Sequence, residues 1–230
     1  AIEKGIQIVI CIDEFQQISD FEDSKTFQKK LRSVWQLQQH VSYCLFGSKK
    51  HLMNELFEKK NLPFYKFGDA IYLAKIETKY WIEYICKRFE NTGKHISPEL
   101  AEEICRLVDN HSSYVQQLSW LLWIRTINTA TTEQLSYALE DLLDQNNILF
   151  QSETENLSAY QMNFLKAIVD GIHTKFSSKE VISKYNLGTS ANIVRLKNAL
   201  LQKELIETNG KEIVLADPVF GVWFKKEMLY

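Results

Sequence analysis

Asp13 and Glu14 follow directly on five apolar residues, Ile8-Val9-Ile10-Cys11-Ile12, near the start of a 230-residue chain. Two adjacent carboxylates at the end of such a run can divide one task. One hard oxygen holds a divalent cation, commonly through water, and the other carboxylate orients a water for attack on a phosphate. The apolar run is too short for a globular helix and rich in β-branched residues, so it reads as a strand covered on both faces in a parallel sheet. Ligands of such sheets sit at the carboxyl ends of strands, which is where Asp13 falls. The plain alternative is a pair of solvated carboxylates at a strand end.

A second apolar run, Val41-Ser42-Tyr43-Cys44-Leu45-Phe46, closes on Gly47-Ser48. Between the two runs Phe27, Leu31, Val34 and Trp35 fall at helical spacing, which predicts a crossover helix and two parallel strands. Ser48 then arrives at the same sheet edge as Asp13. Its hydroxyl there could bond a phosphate oxygen or the attacking water, although a strand-end serine also serves as a helix cap. A phosphate-cradling loop would read G-x-x-x-x-G-K-[ST], and no stretch of the sequence matches it. Gly47-Ser48-Lys49 and Gly93-Lys94 each lack the upstream glycine, so the expectation is a fragment whose phosphate loop lay upstream of Ala1.

The elements that must carry these residues have room for well-filled cores, since 45 % of the chain is hydrophobic and 12 % aromatic. A net charge of −2 gives no global field toward nucleic acid or an anionic membrane. Cys11, Cys44, Cys86 and Cys105 form no C-x-x-C pair and read as reduced core cysteines of a cytoplasmic protein. No segment has the length of a membrane span, and the start lacks a signal-peptide pattern.

From Ile76 the pattern turns helical. Thr78 can cap a segment with Ile82, Ile85, Cys86 and Phe89 on one face, and Ser97-Pro98 opens another. Two further helices carry Tyr114, Leu118, Leu121 and Leu122, then Leu135, Leu139, Leu142 and Leu143, the latter opened by the capping box Thr131-x-x-Gln134. Residues 73–150 thus read as a helical bundle, with Asp144 to Glu155 as a flexible joint. Beyond it, Ser158-x-x-Gln161, Ser177-x-x-Glu180 and Thr189 or Ser190 each open a helix. Leu205 to Thr208 and Glu212 to Leu215 then flank Asn209-Gly210, a type I′ hairpin signal. Three helices and a two-stranded wing over residues 151–230 predict a winged helix-turn-helix.

These blocks, in this order, resemble the archaeal-type ATPases of the STAND branch of the AAA+ P-loop NTPases. Ile8 to Gln16 looks like the Walker B strand, and Phe46-Gly47-Ser48 is similar to the end of the sensor strand. Leu62-Pro63-Phe64-Tyr65 with Ile71-Tyr72-Leu73 resembles the stretch that leads into the lid. Asn110-His111-Ser112-Ser113-Tyr114-Val115-Gln116-Gln117-Leu118 looks like the Gly-His-Pro-x-Tyr-x-Gln-x-Leu signature of a lid helix, with Asn110 in place of its glycine and Ser112 in place of its proline. Ala216-Asp217-Pro218-Val219-Phe220-x-x-Trp223 resembles the motif that ends the winged helix.

The resemblance implies a mixed α/β, mostly α chain: the C-terminal part of a P-loop NTPase parallel-sheet domain over residues 1–72, a helical lid over 73–150 and a winged helix over 151–230. It implies ATP and magnesium as ligands of the full-length protein, both dependent on the upstream loop. Asp13 would serve the metal, Glu14 would position water, Ser48 would sense the terminal phosphate, and His111 and Tyr114 would contact the nucleotide from the lid. The residues themselves also permit His111 as a local cap and Tyr114 and Trp120 as core. Partners are a protein or a second copy of the chain, and DNA through Asn192, Arg195 and Asn198 on a recognition helix. From Gln151 to Tyr230 there are ten Lys or Arg against nine Asp or Glu, too thin an excess for a module that neutralises several phosphates. The composition therefore favours packing or regulation over DNA reading, and a nucleotide-independent scaffold remains a third reading.

Overall fold

The structure is a computed structural model and describes residues 5–229. The chain divides between Leu73 and Ala74 into two compact units. In the first, β1 (Ile8–Ile12) and β2 (Val41–Leu45) pair in parallel, Ile8 opposite Val41 and Ile12 opposite Leu45. Their crossover is a 3-10 turn over Phe15–Asp20 followed by α1 (Ser24–Trp35). After β2 comes α2 (Lys50–Glu58), an element the sequence reading leaves unassigned although Leu52, Met53, Leu56 and Phe57 carry the helical period. Phe15, Ile18, Leu56 and Phe64 form the core, with Ile12, Leu31, Trp35, Leu45 and Phe67 packed around it. The Phe15 and Phe64 rings meet edge to face at 5.3 Å. Arg32 donates to the carbonyls of Pro63 and Tyr65, which ties the Leu62–Tyr65 stretch to α1.

Three expectations for this unit are corrected. β1 is not covered on both faces: Val9 is 65 % exposed, and Ile10 and Cys11 are exposed too. A two-stranded sheet has only the local cluster to pack on, and that cluster reaches Ile12 and Leu45 at the strand ends. Phe27 and Val34 are exposed as well, so the inward face of α1 is Gln28, Leu31 and Trp35. Nor are the cysteines uniformly core. All four are free, Cys11 and Cys44 lie exposed opposite one another across the strands, and only Cys105 is fully buried, its thiol pushed up to about 11 by burial.

The second unit opens with α3 (Thr78–Glu90), α4 (Pro98–Leu107) and α5 (Ser112–Arg125). Ser97 accepts from the Leu100 amide and caps α4 as its Ser-Pro start predicts, with proline in the first turn. Thr78 is no cap. Glu77 holds that position without a side-chain bond, and the Thr78 hydroxyl pairs with Asn110. α6 (Thr132–Glu155) begins with the expected capping box of Thr131 and Gln134. It then runs unbroken for 24 residues, so Asp144 to Glu155 is helix and not a joint. Polar Asp144-Gln145-Asn146-Asn147 is a poor helix signal, but buried Phe150 and Thr154 fix the last turns against the core.

α7 (Ala159–Val169) has its capping box at Ser158 and Gln161. α8 (Lys179–Lys184) is capped by Ser178, one residue later than the Ser177-x-x-Glu180 reading. α9 (Ser190–Gln202) buries Ile193, Leu196 and Leu200 as its spacing predicts. β3 (Ile206–Asn209) and β4 (Glu212–Leu215) form the antiparallel wing. Asn209 pairs with Glu212 inside the ladder, so the loop is Gly210-Lys211, with positive φ at Gly210 but not at Lys211. That is not the type I′ turn expected of Asn-Gly, which needs positive φ at both central residues. α10 (Pro218–Leu229) closes the chain. One hydrophobic cluster runs from Trp81 and Ile85 through Leu118, Leu142 and Phe150 to Trp223 and Phe224, so bundle and winged helix share a core.

Candidate functional site

The parallel register brings the ends of β1 and β2 level. Pairing continues one step past the strands, with the Phe46 amide on the Ile12 carbonyl and the Phe15 amide on the Phe46 carbonyl, each 3.0 Å. Between them Glu14 takes a left-handed backbone, φ 49° and ψ 40°, sparsely populated for a residue with a Cβ. Asp13 Oδ1 accepts from the Glu14 amide at 2.8 Å and stabilises this turn. The turn swings the Glu14 carboxylate to the end of β2, where the Ser48 hydroxyl donates to it at 3.0 and 3.1 Å from the two oxygens.

Gln16, which the sequence reading gives no role, is the third member. It is 2 % exposed, and its amide nitrogen donates to Glu14 Oε2. Gly47 makes the space: a Cβ there would lie 1.9 Å from Gln16 Oε1. The sequence did hold a signal, a glutamine two residues past the carboxylate and a glycine before the serine, but only the fold shows that they meet. The Gln16 amide first, then Ser48, with the charge of Lys49 adding less, holds the Glu14 carboxyl below the ordinary carboxylate range. Glu14 is therefore an anion that accepts hydrogen bonds at neutral pH.

Asp13 is exposed, and apart from the Glu14 amide its carboxylate has no partner among the described residues. The described residues contain no group of three or more His, Cys, Asp or Glu placed to hold a metal. A single exposed carboxylate such as that of Asp13 fits magnesium, which takes one or two carboxylates and keeps waters and substrate oxygens as its other ligands. It does not suit a cation needing an all-protein cage.

His111 and Tyr114 lie in the second unit. The loop before α5 has positive φ at Asp109 and Asn110, a conformation that glycine takes at no steric cost and that asparagine and aspartate tolerate better than most residues. Lys75 pairs with Asp109 at 2.6 Å, and Thr78 with Asn110 at 3.0 Å, which fixes that loop. His111 precedes the first turn of α5, its ring 4.8 Å from that of Tyr114, and its Nδ1 is buried with no partner among the described residues. The Tyr114 hydroxyl is committed. It donates to Asp217 Oδ2, while Asp217 Oδ1 accepts from the Val219 and Phe220 amides at 2.7 and 3.0 Å and caps α10. Burial, then the Asp217 bond, pushes the phenol well above its ordinary value, so it stays a donor. Asp217 thus fastens α5 to α10, a structural role the sequence motif around it does not reveal.

On α9, Arg195 and Asn198 are exposed, but Asn192 is not free to read a base: its amide nitrogen donates to the Leu187 carbonyl at 3.1 Å and its oxygen accepts from Arg195 at 2.8 Å. Trp120, which could have been core by spacing, is 57 % exposed. No helix among the described residues is long and apolar enough to cross a membrane.

Residues 148–226 match the family described as "Probable winged helix domain". No curated protein matches the sequence. Among solved structures, the Walker-type ATPase PABY2304 of Pyrococcus abyssi is similar in fold, with a TM-score of 0.71 and 17 % identity over 95 % of this chain and 63 % of that one. The chain thus spans under two thirds of that ATPase. The RuvB Holliday junction branch migration motor of Thermotoga maritima gives 0.45 and 14 % identity over 96 % of this chain and 70 % of its own. The ORC1 protein of Aeropyrum pernix, solved with DNA, gives 0.47 and 11 % over 98 % and 66 %. The chain thus shares its fold with a Walker-type ATPase, and its last part, residues 148–226, matches a winged helix domain.

Proposed function

We propose that this chain is the water-activating and lid portion of an ATP-dependent switch of the STAND class, with residues 8–16 as its Walker B strand. The observation that carries the reading is the Glu14 carboxylate at the end of β1, held by the Ser48 hydroxyl from the end of β2. Asp13 would hold magnesium through water, and the ion bound there would neutralise charge on the terminal phosphates. Glu14 orients a water for in-line attack. A depressed pKa makes it a weak base, suited to positioning water more than to removing its proton.

Ser48 supplies the link between ligand and base. A hydroxyl has one proton to donate, so it engages either Glu14 or a phosphate oxygen. Binding of a terminal phosphate near Ser48 would release Glu14 to the water, and loss of that phosphate would return it to Ser48. In this reading His111, whose ring Nδ1 is buried without a partner among the described residues, is the lid residue assigned to the nucleotide, and Tyr114 contributes by holding α5. Asp217 and the shared core support a packing role for the winged helix over DNA reading.

In the full-length protein, Asp13→Asn should raise the magnesium needed for half-maximal ATP binding about tenfold or more. An unchanged magnesium dependence would contradict the assignment. Arg195→Ala should leave any affinity for duplex DNA at low salt unaltered; a salt-sensitive complex lost in that variant would favour the DNA-binding reading instead.

A further inference from the structure

α5 is apolar on both sides. Tyr114, Leu118, Leu121 and Leu122 face the core, yet Trp120 and Ile124 are exposed, a distribution that calls for something to cover the outer face. Against that face and α3 lies a cavity of about 420 Å³, within the range of small-molecule pockets, which run from about 300 to 1,000 Å³. Tyr84, Phe89, Trp120 and Trp123 give it aromatic walls. Two polar features stand out among them. The Arg88 guanidinium, 5.1 Å from the Tyr84 ring centroid, has no carboxylate partner among the described residues, and no acidic side chain lines the pocket. Ser119 also lines it, with a buried hydroxyl that has no hydrogen-bond partner.

From this combination we infer that the pocket between α3 and α5 binds a small planar aromatic anion, its ring against Trp120 and Trp123 and its acidic group on Arg88. Flat rings bury large areas between aromatic side chains. An exposed guanidinium held by stacking, not by a carboxylate, keeps its planar donor fork for a ligand oxyanion. The Ser119 hydroxyl, costly to leave unpaired inside the protein, gains an acceptor when the ligand is present. An open cleft of this size takes one ring system with a short acidic arm.

Anilinonaphthalene sulfonate is the anionic probe and N-phenylnaphthylamine, its uncharged counterpart, the control; binding to the folded protein is followed by energy transfer from tryptophan. One saturable site for the sulfonate is expected. Arg88→Gln should weaken the sulfonate about tenfold, the loss of one charge-assisted contact, without changing the uncharged probe. Trp120→Ala should weaken both. Arg88 and Trp120 are exposed, so neither change should alter the helical far-ultraviolet circular dichroism of the protein. Sulfonate binding that is unsaturable, or unaffected by Arg88→Gln or Trp120→Ala, would overturn the proposal.

Discussion

The two units of this chain differ in how their chemistry and their cores are matched. Residues up to Leu73 carry the carboxylate pair on a core of four buried apolar side chains, and they also bury Gln16 and Gln28. Residues from Ala74 form a continuous core in which the polar anchors, such as Asp217 on Tyr114 and Asn147 on Trp223 at 2.8 Å, serve packing. In the first unit Gln16 and Ser48 are arranged around a carboxylate, whereas Gln28 pairs with Ser24 within α1; the polar anchors of the second unit hold helices together. Buried polar groups cost stability unless paired, so the unit with the small core bears that cost where a ligand would meet it.

The largest expected effect separates the units. Phe64→Ala should cost about 3–5 kcal/mol, more than so small a core can absorb. Amide exchange should show protection lost through residues 5–73 and retained in α5, α6 and α10; equal loss in both units would contradict independent cores. Next, Asp217→Ala removes a helix cap and leaves the buried Tyr114 hydroxyl unpaired, which should cost about 2–3 kcal/mol in urea unfolding of the second unit. Tyr114→Phe removes only one bond and should cost about 1 kcal/mol.

The smallest effects concern the Glu14 carboxylate. Because the folded Glu14 carboxyl lies below its unfolded value, its bonds to Gln16 and Ser48 contribute above the unfolded pKa and are lost as pH falls through the folded one. A carbon-detected titration should therefore place the Glu14 midpoint below that of an ordinary glutamate. Gly47→Ala should displace the Gln16 side chain and move the midpoint back up. An unshifted midpoint in both proteins would contradict the arrangement.

Much of the scaffold was legible because local physics and tertiary packing agree there. The capping boxes at Thr131 and Ser158 and the inward face of α9 follow from short-range spacing that the core then uses. Asp13, Glu14 and Ser48 could be placed at one sheet edge because a crossover connection between short apolar runs leaves few alternatives. What failed depended on distant partners. Val9 and Ile10 read as buried because apolar strands usually have neighbours on both faces, and Trp120 read as core because its period matches that of Leu118 and Leu121. The helix through Asp144 to Glu155 is held by Phe150, against weak local propensity. Gln16 and Asp217 were in the motifs, but their roles arise from contacts that no spacing encodes.

Whether Glu14 orients the hydrolytic water, as proposed, is decided by Glu14→Gln in the full-length protein, with ATP binding and turnover measured side by side. With that role, ATP binding should stay within a few fold of the unsubstituted protein and turnover should fall by about a hundredfold or more. Turnover that survives the substitution would contradict it.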